Sequence, residues 1–457
     1  MSETQKLDFP KKFLWGTATA GHQIEGHNDK SDWWRFEQEG KVKDGTKTGR
    51  NIDYWNRYEE DHALMSELGY QVFRLGVEWA KIEPEDGRFD MAAVERYRKI
   101  LQSLRDKKIQ ICLTIYHWVL PLWFAQSGGW LRDDAVDRFV RFAEVVVKEL
   151  GEFPDLWVTL NEPSVPAAAG YLAGEFPPEH KNFREYGLVM NRQMHAHART
   201  YKLIHDNVSK APGGGPTMAG VAYAFQWIEA YGSDGLPGLY EKMMARIFSF
   251  GSYRGWNNAV ATGYAPFPFG REIVPGLKDS YDFCGVNYYM RNSLKFDASK
   301  KDTGFVDMEA IPPGIEKTQM GWQFYPPGFH KILMYVWEKF KKPIYITENG
   351  IADDIDAQRP QYLLEHIAQV NRAINAGADI RGYMQWSFID NFEWKEGFSK
   401  KFGLIECRHD DPELKRKPRP SARMYSEIIK ENAITRDIVK KYAPSAADGV
   451  FGDKWKA

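Results

Sequence analysis

Pro343-Ile344-Tyr345-Ile346-Thr347-Glu348-Asn349-Gly350 is an apolar run, rich in β-branched and aromatic residues, that ends in a carboxylate and then a turn. Runs of this composition form buried strands, and Asn-Gly directly behind one stops it. Glu348 therefore stands at the C-terminal tip of a strand. The same pattern appears upstream in Leu156-Trp157-Val158-Thr159-Leu160-Asn161-Glu162-Pro163, where Pro163 biases Glu162 away from helix.

Six further strand-like runs lie outside these two, at 13–18, 72–77, 110–116, 217–222, 283–287 and 380–386. Amphipathic helical patterns separate most of them. One covers 90–106, where Val94, Tyr97, Leu101 and Leu104 recur at helical spacing behind Asp90 as N-cap. Another covers 133–150, with Val136, Phe139, Val140, Ala143, Val146, Val147 and Leu150 on one stripe. Strand–helix alternation implies parallel strands, and eight such units close into an α/β fold, a single (β/α)8 TIM barrel. A doubly wound open sheet is the alternative, but no glycine-rich phosphate turn follows the first strand. No linker or internal repeat interrupts the 457 residues, so one catalytic domain is expected over 1–457. Polar stretches at 297–323 and 395–408 read as extended βα loops over one barrel face. The tail at 444–457 is expected to be weakly ordered.

Composition narrows the function. Net charge is −1 with both signs intermixed, and no basic tract suggests nucleic acid. The first thirteen residues lack the apolar core of a signal peptide. The most apolar stretch, 111–125, contains His117 and Pro121 and is too short to cross a bilayer. Cys112, Cys284 and Cys407 are odd in number and widely spaced, which fits buried free thiols in a reducing, cytoplasmic location. Aromatic residues make up 14% of the chain, including 16 Trp, enough for a pocket whose flat walls receive sugar C–H faces as well as for a large core. Parallel barrels carry their chemistry at the C-terminal tips of the strands. Two carboxylates at such tips are the equipment of glycosidic-bond cleavage.

Longer segments sharpen that reading. Phe13-Leu14-Trp15-Gly16-Thr17-Ala18-Thr19-Ala20, continuing into Gln23-Ile24-Glu25-Gly26, resembles the N-terminal signature of family 1 glycoside hydrolases, the β-glucosidase family. Further matches follow in the family's order: Arg74 to Trp79, His117-Trp118, Thr159 to Pro163, Asn287-Tyr288-Tyr289, Ile346 to Gly350, and Trp386 to Gly403. The likeness covers about residues 9 to 432.

The resemblance implies a role for each matched residue. Glu162 is the general acid/base and Glu348 the nucleophile of a retaining double displacement, for which the carboxyls stand only about 5–5.5 Å apart. At an effective dielectric near 20, charges at that distance repel by about 3 kcal/mol, or roughly two pKa units. An ionised Glu348 then keeps Glu162 protonated, until esterification of Glu348 releases Glu162 to act as base. Arg74 and Tyr289 are implied to hold Glu348 ionised. Gln23, His117, Asn161, Glu393 and Trp394 are implied to grip the sugar hydroxyls, and Trp386 to form the floor under the ring, with a cis peptide after it. Trp118, Asn287, Trp322 and Phe402 complete the substrate-binding set, Trp322 on the leaving-group side. Glu393 would repel a sugar phosphate and suits free hydroxyls. One position departs from the family: Val119 stands in His117-Trp118-Val119-Leu120-Pro121 where Asp is frequent.

The activity implied is exo-hydrolysis of terminal β-D-glucosyl residues, with β-galactosyl and β-fucosyl residues as further substrates. Small β-glycosides or short oligosaccharides are the expected partners, with no cofactor, metal, nucleic acid or membrane required, and self-association is left open. The alternatives are a β-mannosidase or other family 1 specificity, such as a disaccharide-preferring enzyme, a non-catalytic carbohydrate-binding protein on the same fold, and a metal-dependent barrel hydrolase. His195-Ala196-His197 is not read as a metal pair, because positions two apart on a helix do not face each other. Gly213-Gly214-Gly215 lacks the Lys-Ser/Thr of a phosphate loop.

Overall fold

All eight runs form strands in the structure, a computed structural model that describes residues 6–455. They are β1 (Leu14–Ala18), β2 (Val72–Gly76), β3 (Gln110–Tyr116), β4 (Leu156–Asn161), β5 (Met218–Ala230), β6 (Phe283–Phe296), β7 (Ile344–Asn349) and β8 (Ile380–Trp386). Parallel pairing runs β6-β7-β8-β1-β2-β3-β4-β5, and β5 pairs back onto β6, closing the TIM barrel. The strands are buried on both faces because helices cover them, which is why they read as continuous apolar runs. Gly16 permits the close β1–β2 approach: a Cβ there would lie 1.7 Å from the Val72 carbonyl oxygen.

The helices follow their sequence signals. α1 (Met91–Asp106) starts at Asp90, whose carboxylate accepts from the N–H groups of Ala92 and Ala93. α2 (Ala135–Leu150) buries Phe139, Phe142, Ala143, Val146, Val147 and Leu150 against the barrel. Truncating one such phenylalanine, Phe139→Ala, costs about 3–5 kcal/mol.

Two expectations are corrected. β5 and β6 do not stop at 222 and 287. They continue together past the barrel rim, with Trp227 opposite Arg291 and Ala230 opposite Leu294. Beyond the rim the strands are only partly covered, so the apolar run gives way to a mixed polar pattern. The tail, expected to be loose, instead forms a turn at Pro444–Ala446 and a helix at Ala447–Phe451 with Val450 buried. Arg372 donates to the Gly449 and Val450 carbonyls, and the Trp455 indole donates to Glu365 at 2.6 Å. Short helices like this one are held by packing rather than by propensity. The final two residues, 456 and 457, lie outside the described residues.

Candidate active site

β4 and β7 bring their terminal carboxylates to the same face of the barrel, and the ladder is irregular at both tips. Its register shifts between Val158 and Asn161 on β4, and between Ile346 and Glu348 on β7. Glu162 leaves the helical region, in keeping with Pro163, but enters the left-handed one at φ 47°. That conformation costs a non-glycine residue about 1–3 kcal/mol and concentrates at functional sites. The Glu162 N–H stays tied to the Ala222 carbonyl at 2.7 Å. Trp118 and Trp394 also take positive φ, 74° and 50°. Behind Glu348, a Cβ on Gly350 would lie 1.7 Å from the Trp386 carbonyl oxygen, so only glycine lets the two strand ends meet.

Glu348 is held by strong donors. Arg74 Nη1 lies 2.5 Å from Oε1, and Tyr289 Oη donates to Oε2 at 2.6 Å. Arg74 is itself fixed in the barrel centre: Nη2 donates to Asn161 Oδ1 at 2.6 Å and Nε to Thr114 Oγ1 at 3.0 Å. Among the described residues no cation is bonded to Glu162, which accepts from the Asn287 amide at 2.9 Å. Asn287 is oriented in turn by Thr347, whose hydroxyl donates to its carbonyl oxygen at 2.6 Å.

The pKa shifts follow from these surroundings. Burial raises Glu162 to about 8, and the charge of Glu348 adds to the effect. Burial raises Glu348 as well, but Arg74 and then Tyr289 oppose it. Burial also lifts Glu393 to about 8, again with Glu348 adding. His117 is pushed well down by burial and by Arg74, so its ring is neutral.

His117 Nε2 lies 3.0 Å from the Asn161 amide nitrogen, and as the acceptor there it leaves the ring proton on Nδ1. Among the described residues, neither that Nδ1 nor Gln23 Oε1, both buried, has a hydrogen-bond partner. Buried polar atoms are rarely left unpaired, and two such atoms close to one cavity suit a polar ligand. Gln23 reaches the Phe392 carbonyl at 2.8 Å and Glu393 at 3.3 Å.

Aromatic rings wall a cavity of about 290 Å³ that contains both carboxylates. Trp386 and Trp394 lie nearly parallel to His117, at 6.0 and 5.9 Å between centroids. Trp118 packs on Trp394 at 4.6 Å, and its indole N–H donates to the Asn161 carbonyl at 3.1 Å. Trp322 contacts Tyr289 and Phe402 on the other side. The bond from Trp386 to Ser387 is cis. Val119 sits buried in an apolar cluster with Trp33, Phe392 and Trp394, where a methyl-bearing side chain fits.

The structure gathers the residues singled out in the sequence into one place. His117, Trp118, Glu162, Asn287, Tyr289, Trp322, Glu348, Trp386, Glu393, Trp394 and Phe402 line the cavity. Arg74, Asn161 and Gln23 are not among the lining residues but bond groups that are: Arg74 to Glu348, Asn161 to His117 and Gln23 to Glu393. Sequence reasoning missed Thr114 and Thr347, although buried threonines inside apolar strands were the available signal. It also missed Phe176, Gln226, Met320, Lys395 and Glu396 along the walls. Met320, Lys395 and Glu396 neighbour residues already singled out, whereas Phe176 carries no local signal. His195 and His197 diverge, His195 toward Glu272 and His197 toward Thr159 and the Ser280 carbonyl.

Comparison with known proteins shows the family. A family model described as Glycosyl hydrolase family 1 matches residues 5–434. The chain is 33% identical to a 1,4-beta-D-glucan glucohydrolase of Thermotoga neapolitana over 93% of this chain and 99% of that protein. It is 32% identical to a beta-galactosidase of Saccharolobus solfataricus over 94% of this chain and 96% of that one. Among solved structures, a beta-glycosidase from Pyrococcus horikoshii superposes with a TM-score of 0.86 at 34% identity, covering 96% of this chain and 98% of the other.

Proposed function

The chain belongs to glycosyl hydrolase family 1 and is a glycosidase, and on that premise we propose that it is a retaining exo-β-glycosidase with Glu348 as nucleophile and Glu162 as acid/base. The observation that carries this reading is the unequal environment of two equally buried carboxyls. Arg74 and Tyr289 favour the charged form of Glu348, while burial and the Glu348 charge favour the protonated form of Glu162. One group is thereby equipped to attack and the other to protonate.

Glu348 attacks the anomeric carbon as the bond to the leaving oxygen breaks, and that oxygen takes the Glu162 proton. The product is a glycosyl ester on Glu348, whose charge is then gone. Glu162, now anionic, removes a proton from water. The water oxygen bonds to the anomeric carbon, the ester bond breaks, and both carboxyls return to their starting states. The Asn287 amide donates to Glu162 at 2.9 Å and to the Asn161 side-chain oxygen at 3.0 Å. Retention requires the two carboxyls only ~5–5.5 Å apart, whereas inversion leaves room for a water at ~6.5–9.5 Å.

For the sugar, Gln23, His117 and Glu393 offer donors and acceptors to hydroxyls. Glucosyl residues are the proposed main substrate, with galactosyl and fucosyl residues also accepted, in keeping with relatives named for glucan and galactoside hydrolysis. The substrates are small β-glycosides or short oligosaccharides. The three unpaired, buried thiols favour a cytoplasmic location.

A panel of nitrophenyl β-glycosides, followed by NMR of the first-formed anomer, tests both parts. The expected result is preference for the glucoside with the β-anomer released first. Faster mannoside cleavage would overturn the sugar assignment, and an α-anomer would overturn the mechanism.

A further inference from the structure

An amphipathic helix faces outward with its apolar side uncovered. α3 (Gly235–Ser249) follows the extended end of β5. Leu236, Leu239, Met243 and Ile247 recur at helical spacing along it and are 81%, 65%, 48% and 55% exposed. The ridge is about 16 Å long. Beside it runs a groove of about 870 Å³ floored by Tyr240 and Phe296, and partly exposed Phe305 and Met308 continue the surface. Tyr240 ties helix and loop together through its bond to the Gly304 carbonyl at 2.7 Å. Contiguous apolar surface of this extent marks an interaction site.

We propose that a second copy of this chain covers this surface, with the two helices packed antiparallel about a two-fold axis. Reversal maps the ridge onto itself: Leu236 meets the partner's Ile247, and Leu239 meets the partner's Met243. Such self-complementarity is what an isologous interface requires. The ends complement each other as well. Asp234 precedes the helix without capping it, and reversal brings it within one turn of the partner's Arg246, twice per dimer. The exposed residues of the helix and of the 296–308 loop lie beside one another, the beginning of the ~20–30 residues a side of a standard interface.

Charge argues against a lipid surface as the occupant. Residues 295–309 carry three lysines against three aspartates and one glutamate, and the helix balances Asp234 and Glu241 with Lys242 and Arg246. No net positive field draws anionic headgroups.

Sedimentation equilibrium of the full chain at micromolar concentration tests the proposal. The expected result is a dimer that Leu239→Glu/Met243→Glu converts to monomer, with glycoside hydrolysis per chain unchanged as the control for folding. Asp234→Lys is expected to weaken the dimer at least tenfold, and Asp234→Lys/Arg246→Asp to restore it. A monomeric wild type, a dimer that survives the double glutamate variant, or a charge swap without rescue would overturn the arrangement. Flotation of the wild type with vesicles containing phosphatidylglycerol, abolished by the same double variant, would assign the ridge to lipid instead.

Discussion

Glu162 and Glu348 stand at two strand tips buried alike, 6% and 4% exposed, but the groups around them differ. At the β7 tip an arginine and a tyrosine converge on the carboxylate. At the β4 tip a single neutral amide does so. Burial alone would raise both pKa values together and leave the proton's location undecided. Donors separate them, and the donors come from β2 and β6 rather than from the strands that carry the carboxylates. The chemistry is therefore written in the closure of the barrel.

The largest change comes from removing the supported end. Glu348→Gln keeps the shape but exchanges one of the two accepting oxygens for a donating NH2 and has no nucleophilic oxygen anion. Turnover of aryl glucosides is expected to fall on the order of 10⁵-fold or more, measured by steady-state kinetics. A loss below about 10²-fold would mean that Glu348 is not the nucleophile.

At the unsupported end the loss depends on the substrate. Glu162→Gln is expected to slow glycosides with poor leaving groups by about 10²–10⁴-fold while sparing release of dinitrophenol, whose oxygen needs no proton. Its kcat/KM profile should lose the alkaline limb expected for the wild type near pH 8, the pKa to which burial raises this carboxyl. Equal loss on both substrate classes would erase the distinction between the two tips.

The same substitution carries a stability effect of opposite sign. The folded Glu162 pKa of about 8 lies above the ordinary 4.5, so the folded chain keeps a proton that the unfolded chain releases. Stability is then lost as pH rises from 4.5 toward 8. Glu162→Gln removes that loss and is expected to stabilise the protein at pH 7 by about 1–3 kcal/mol. The gain disappears below pH 4.5, and thermal unfolding at the two pH values measures it.

The smallest effect falls on a single donor. Tyr289→Phe deletes one bond to Glu348 and leaves Arg74 in place. Activity is expected to drop about tenfold, the scale of one hydrogen bond to a charged group. On the proposed mechanism Glu348 attacks in its ionised form, and its pKa rises without the tyrosine, so the acid limb of kcat/KM should move to higher pH. An unmoved limb would show that Arg74 alone sets the ionisation.

Much of this was legible in the sequence, for identifiable reasons. A strand buried on both faces leaves a dense apolar run, so all eight were found, and 110–116 and 380–386 match to the residue. Asp90 announced its helix because a cap is a local interaction. The extensions of β5 and β6 were missed because half-covered strands mix polar and apolar residues. The helix at Ala447–Phe451 was missed because its order comes from packing on distant Glu365 and Arg372. In the site, residues in long matching segments were found, whereas Thr114 and Thr347 were not. Their importance lies in orienting Arg74 and Asn287, which is visible only once strands far apart in sequence are neighbours.

The central claim, that Glu348 attacks while Glu162 carries the proton, is tested most directly by trapping the intermediate. Incubation with dinitrophenyl 2-deoxy-2-fluoro-β-glucoside, followed by peptide mass spectrometry, is expected to place one fluoroglucosyl group on Glu348 with matching release of dinitrophenol. A label on Glu162 or elsewhere, or inactivation without any covalent label, would contradict the account.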